Sequence, residues 1–335
     1  MATLVGATYP TLADRYKAMD PDGTIADVIE LVSKEDEVLQ DLIMVEGNLP
    51  TGNQATVRTG LPSGTWRRLY GGVQPSKSTR AQIIDTCGMF EQFSKIDVDE
   101  ANLNGQSAEF RLSEAKAHLE AMKQEIVETL FYGNQGADPS EFTGLAPRYS
   151  DTTAENGRQI VLADGSGGES DNTSIWCVCW GSDTMHGIYP KGSMGGMMRK
   201  DLGERLVTEG DGAMWLALVE QYQWKIGFQI KDWRYASRIA NIDVAALLAY
   251  EDATDTAANL PSLMTRALGR IHTMNKGRCV FYANKDTHTA LTIMAANKSN
   301  VQLSINEFAG KPITSFMGYP IRRCDSILNT EELVS

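Results

Sequence analysis

The chain has 335 residues, 42% apolar and 22% charged, enough to bury a sizeable core as one large domain or two to three small ones. With 31 basic against 43 acidic side chains the formal charge is −12, which argues against a nucleic-acid binder, because phosphate recognition needs clustered Lys and Arg. The start, Met1-Ala2-Thr3-Leu4-Val5-Gly6, lacks the basic and apolar regions of a secretory signal, and no apolar run approaches the roughly 18 residues of a membrane span.

From Thr24 to Val45 the pattern is helical: Ile25, Val28, Ile29, Val32, Leu39, Leu42 and Ile43 recur at spacings of mostly three and four, and Gly47, Asn48 and Pro50 stop it. From Thr51 to Asp99 alternation replaces that period. Ala55 to Arg58 and Gln82 to Cys87 read as strands, with a Gly/Pro/Ser-rich stretch containing Trp66-Arg67-Arg68-Leu69-Tyr70 between them. This predicts a long two-stranded excursion with a mobile tip. A hairpin of that length has no second layer of its own to bury a face against, so it needs another chain to lie on. Between Gly47 and Ile84 stand Arg58, Arg67, Arg68, Lys77 and Arg80 and no Asp or Glu. The segment is +5, and taking that from the overall −12 leaves −17 on the rest. Two readings compete: a solvated loop that happens to be basic, or an arm that docks on an acidic surface.

The clearest helix is predicted over 105–132, about 40 Å long. Leu112, Leu119, Met122, Ile126 and Leu130 form its narrow apolar stripe, His118 falls on its polar side, and Gly133-Asn134 ends it. Strands follow at Gln159–Leu162, Ser174–Trp180 and Gln221–Asp232, with Asp164 to Glu169 as a hairpin-type loop between the first two. The last part reads as α/β: helices at Val244–Tyr250 and Leu260–His272, a strand at Arg278–Tyr282, a helix at Lys285–Asn297 and an edge strand at Pro320–Arg323.

Little here assembles into chemistry. Lys191 to Met198 is Gly-rich but does not match a Walker loop, and Gly165 to Gly168 has acids on both flanks without the spacing of an EF-hand. His118, His186, His272 and His288 show no metal-ligand spacing, and no nucleophile elbow or Cys-His signature occurs. The pairs Glu251-Asp252 and Glu331-Glu332 read as solvated residues. The five cysteines, Cys87, Cys177, Cys179, Cys279 and Cys324, are odd in number and widely spaced, which predicts five reduced thiols with Cys177 and Cys179 buried in a sheet. No cofactor, metal site or catalytic residue is expected.

The order of parts resembles the major capsid proteins of tailed bacteriophages. That family combines an N-terminal arm, an extended hairpin loop lying across a neighbouring subunit, a long spine helix and then strands. Leu130-Phe131-Tyr132-Gly133-Asn134 followed by Gly144-Leu145 is similar to the end of the family's spine helix. Trp224 to Tyr235 with Arg238 to Asp243, and Phe308 to Ile313 leading to Phe316 to Ile321, resemble a podophage-type branch. The likeness covers residues 20 to 330.

The resemblance implies an α+β capsid fold: arm 1–50, extended loop 51–99, peripheral domain 100–243 with spine helix 105–132, and axial domain with C-terminal tail 244–335. It implies an icosahedral shell of hexamers and pentamers around packaged double-stranded DNA, bound without sequence specificity. Portal, scaffolding protein and a possible cement protein are the expected partners. Because only about fifty residues precede the hairpin, the scaffold is expected to be a separate protein. Assembly is expected in the host cytoplasm, with no membrane and no catalysis. The expected inter-subunit contacts are Arg58, Trp66, Arg67, Arg68, Lys77 and Arg80 of the hairpin and Glu109, Glu114, Glu120, Glu125 and Glu128 of the helix. The strand-rich stretch 159–243 precedes the α/β region, so a circularly permuted chain order is also expected, with Ser174–Trp180 and Gln221–Asp232 building the peripheral sheet beside the helix. A cellular nanocompartment shell of the same fold is the alternative, and an enzyme the third class.

Overall fold

The computed structural model describes residues 34–102, 107–163, 171–208, 212–249, 259–296, 303–308 and 311–335. In chain order come helix α1 (Val38–Asp41), strands β1 (Met44–Glu46), β2 (Gly52–Gly60) and β3 (Thr79–Asp97), then helices α2 (Val98–Ala101) and α3 (Ser107–Tyr132). Strands β4 (Ile160–Leu162), β5 (Asn172–Trp180), β6 (Met185–Tyr189), β7 (Met197–Thr208), β8 (Met214–Ile230) and β9 (Ala236–Asp243) follow. The rest comprises α4 (Val244–Leu248), α5 (Leu260–Arg270), β10 (Arg278–Ala283), α6 (Lys285–Ala296), β11 (Leu303–Phe308), β12 (Lys311–Phe316) and β13 (Tyr319–Arg323). The chain divides into two units, the first containing 89–126 and 196–225 and the second containing 35–88, 127–195 and 226–335.

In the first unit β7 and β8 form a long antiparallel hairpin, registered from Met197 opposite Trp224 to Thr208 opposite Met214. Its register shifts between Asp201 and Gly203, where Gly203 takes φ 69°, a left-handed value that costs glycine little. Ile96, Ala101 and Phe110 make a small core joined by Leu218. Along α3 up to Ile126 the buried positions are Phe110, Ala115, Met122 and Ile126. Leu112, expected in the stripe, is 53% exposed instead, because the buried direction turns along the helix. His118 is also corrected: its ring stacks on Tyr222 at 5.5 Å, and Nδ1 lies 3.2 Å from Gln92 Oε1.

The second unit is a sheet in the order β11-β12-β13-β10-β5-β6, with β1 on β6, β9 on β5 and β4 on β9. β5 is buried at all nine positions because β9 and β10 flank it. Trp176, Trp180, Phe131, Phe228 and Tyr282 fill the core, and Trp180 Nε1 donates to the Tyr282 hydroxyl at 2.7 Å. α5 is amphipathic: Leu260, Leu263, Met264, Ala267 and Leu268 face inward, and the Asn259 side chain caps it by accepting from the Ser262 N–H.

Several expectations change here. The helix predicted over 24–45 lies outside the described residues up to 33; beyond them the chain forms only α1 and then β1, which pairs in parallel with β6. β4 pairs with β9 rather than β5, so no hairpin joins β4 to β5. The loop read between them, like Gly165 to Gly168, lies outside the described residues. Most consequential is β5. Its second half, Trp176 to Trp180, pairs with β10 inside the α/β sheet, and this removes the ground for the permuted chain order. Residues 214–225 of β8 do lie in the first unit with α3 up to Ile126. The likeness between β5 and a peripheral strand came from its tryptophans, which fill the core beside a strand buried on both faces equally well.

Candidate assembly interface

The end of α3 shows why the Gly-Leu motif stands where it does. The chain leaves the helix at Gly133 and returns at Gly144, whose N–H donates to the Gly133 carbonyl at 2.8 Å. The Leu145 N–H donates to the Leu130 carbonyl at 3.0 Å, satisfying one of the carbonyls that a helix end leaves open. A Cβ on Gly144 would sit 2.6 Å from the Thr129 oxygen and 2.7 Å from that of Leu130, so the return path has room only for glycine.

The hairpin predicted from alternation is present. β2 and β3 pair antiparallel from Gly52 opposite Thr86 to Gly60 opposite Thr79, and residues 61–78 between them form no strand or helix. At the base, Asn53 Nδ2 donates to Gln229 Oε1 at 2.6 Å, and Arg148 forms an ion pair with the buried Asp85 at 2.7 Å. Further out the side chains have nothing to lie on. Arg58, Arg67, Arg68, Lys77 and Arg80 are exposed, and none forms an ion pair among the described residues. Trp66 is 104% and Tyr70 100% exposed, with Leu61, Leu69 and Val73 also in solvent. The sequence singled out Trp66 and missed the other four. The signal was available: five large apolar residues within thirteen positions.

The helix acids divide. Glu109 and Glu125 are exposed, while Glu114, Glu120 and Glu128 are half-buried. Glu120 is already engaged: its Oε1 accepts from the Lys34 N–H at 3.1 Å, from Gln124 at 3.0 Å and from Lys123 at 3.4 Å. Burial pushes that carboxyl up, but those donors override it and hold it below the usual range. In the same unit, Glu220 is buried and accepts from Arg199 (2.9 Å), the Tyr222 hydroxyl (2.5 Å) and Arg111, which also pairs with Asp201 at 2.6 Å. Burial alone would raise Glu220; the bonds from Arg199 and Tyr222 and the charge of Arg111 lower it instead. Every charge in this cluster has a fixed partner, so it holds α3 to the β7–β8 sheet.

Among the described residues no three His, Cys, Asp or Glu are placed to hold a metal ion, and no helix is long and apolar enough to cross a membrane. A cleft of about 930 Å³ opens at the hairpin base, lined by polar and charged groups including Arg58, Glu155, Asp183 and Lys231. Lys191 to Met198 is a turn leading into β7, with the Gly192 N–H donating to Glu46 at 2.9 Å. Glu331, read as solvated, is buried against Arg238, and Glu251-Asp252 lies outside the described residues. The five-thiol expectation is corrected: Cys179 and Cys279 stand opposite each other on β5 and β10 and form a disulfide, leaving Cys87, Cys177 and Cys324 free. Cys177 and Cys179 are buried in the sheet as expected.

Residues 20–335 match the family model described as Major capsid protein GP7. The chain belongs to that family. A chain from a cryo-EM structure of bacteriophage Epsilon15 is 35% identical, the match covering 100% of this chain and 99% of that one at a TM-score of 0.78. A capsid chain of bacteriophage JBD30 is 9% identical over 89% of this chain and 92% of that one (TM-score 0.49). The SrpI encapsulin of Synechococcus elongatus is 10% identical over 70% of this chain and 96% of that one (TM-score 0.43). No curated protein matches. The fold of this major capsid protein is thus the mixed helix-and-strand fold of tailed-phage capsids, and its place is the virion shell, where copies of one chain assemble with each other.

Proposed function

We propose that this chain forms hexamers and pentamers that close into an icosahedral shell around packaged double-stranded DNA, and that hairpin 51–99 is the arm joining each subunit to the next. The observation that carries this is the outer part of the hairpin: residues 47–84 are a +5 segment with fully exposed aromatics, borne on a chain whose remainder is −17. Arg58, Arg67 and Arg68 dock on carboxylates of an adjacent subunit, since Arg fits a carboxylate bidentately. Lys77 and Arg80 add charge. The candidate partners are Glu109, Glu114, Glu120, Glu125 and Glu128, with Glu109 and Glu125 the most accessible of them. α3 acts as the spine. Exposed pairs contribute only about 0–1 kcal/mol each, so the effect is collective.

Assembly takes place in the host cytoplasm with a separate scaffolding protein and a portal; a cement protein is a possible outer partner. The chain catalyses nothing. An acidic wall keeps the packaged DNA from binding tightly, because its carboxylates repel the phosphates. The test is the double variant Arg67→Glu with Arg68→Glu, expressed with the scaffold and followed by sedimentation and electron microscopy. The expected result is folded subunits that fail to close shells; normal shells from this variant contradict electrostatic docking.

A further inference from the structure

The tip of the hairpin is more than a patch of charge. Leu61, Trp66, Leu69, Tyr70 and Val73 are between 52% and 104% exposed, all within residues 61–78. Soluble surfaces scatter single apolar side chains, but five together, two of them aromatic, mark a contact surface. Trp and Tyr bury about 150–250 Å² each and are the residues most enriched at the energetic centres of interfaces, whereas rim charges mainly steer the approach. Arg67 and Arg68 follow directly on Trp66, so charge and apolar area are presented together.

The described part of α3 offers a match. Leu112 is 53% exposed on a helix where the periodic pattern expects burial, and Glu109 lies one turn before it on the accessible side. An exposed Leu next to an exposed Glu is complementary to a Trp next to an Arg. A second copy of the same chain is the occupant this charge balance selects, because the acidic surface outside the hairpin belongs to that chain and its copies surround it in the shell.

We infer that the hairpin tip is an aromatic anchor that seats Trp66 beside Leu112 of a second copy, with Arg67 reaching Glu109, and that apolar burial rather than charge holds the joint. This rests on the reading of the hairpin as the inter-subunit arm and adds which residues supply its grip. The side chains concerned are exposed in the single chain, so replacing them leaves its fold intact.

The experiment places p-benzoylphenylalanine at position 66, irradiates assembled shells and maps the cross-link by mass spectrometry. In parallel, Trp66→Ala and the pair Arg67→Gln with Arg68→Gln are compared for the concentration at which shells form, at low salt and at about 1 M salt, where the screening length falls to about 3 Å. Thermal melting of the unassembled subunits checks folding. The inference expects cross-links from position 66 to residues 108–116 of another chain. It also expects Trp66→Ala to raise the assembly threshold at least tenfold at both salt concentrations, and the glutamine pair to act only at low salt. Cross-links that avoid this helix, or a Trp66→Ala variant that assembles at the normal threshold, overturn it. If charge reversal at 67 and 68 still blocks assembly in that case, the arm reading stands without the anchor. If neither change matters, both fall.

Discussion

Arg238 and Glu331 form a buried ion pair at 2.9 Å, with both side chains about 5% exposed or less. It ties the C-terminal tail to the centre of the second unit. Arg238 also donates to the Tyr149 carbonyl at 2.8 Å and the Ser174 hydroxyl at 3.0 Å, and its guanidinium stands 5.0 Å over the Trp176 ring. The other Glu331 oxygen accepts from the Tyr132 hydroxyl at 2.5 Å. Removing one partner of such a pair strands the other charge in the core, at a cost of about 3–5 kcal/mol. Glu331→Ala is therefore expected to lower unfolding free energy in urea by that amount. A change within about 1 kcal/mol shows that the tail is not anchored there.

Gly144 closes the end of the spine helix against two carbonyl oxygens, with no space for a Cβ. Gly144→Ala is expected to destabilise the subunit by about 1–3 kcal/mol, the usual range for overpacking. Gly72→Ala is the control: nothing lies within 4 Å of its Cβ position, and its melting temperature should stay unchanged.

The thiol count follows from the disulfide between Cys179 and Cys279. Denatured, non-reduced protein is expected to label at three cysteines, and reduced protein at five. Five labels before reduction contradict the bond.

His186 is buried on β6, and burial, aided by Lys231, depresses its pKa to about 4. The unfolded chain, with an ordinary pKa near 6.5, takes up this proton first as pH falls. Stability from this group is thus complete above pH 6.5, is lost as pH falls toward 4, and changes no further below that. The loss reaches about 3 kcal/mol. His186→Gln should flatten the stability profile between pH 7 and 4; an unchanged slope assigns it to other groups.

Local signals were legible in the sequence where one physical cause dominated. The alternation and turn chemistry of 51–99 gave the hairpin, and the long period of 105–132 gave α3. β6 and β7 were not read, because Gly187 and Gly203 within them look like loop residues until a pairing partner is known. Leu112 and His118 were misplaced because the buried side of α3 turns along its length, so one straight stripe does not describe it. The cysteine pair was invisible for a similar reason: Cys179 and Cys279 are 100 residues apart, and only the β5–β10 register puts them face to face. In the hairpin the basic residues stood out through the absence of acids around them, whereas the apolar tip was masked by its Gly/Pro/Ser-rich setting.

The most direct measurement is a cryo-EM reconstruction of the assembled shell at a resolution that traces residues 61–78. The account predicts continuous density for this tip on the surface of an adjacent subunit, with Trp66 and Tyr70 covered. A tip folded back on its own chain, or projecting into solvent in the closed shell, contradicts it.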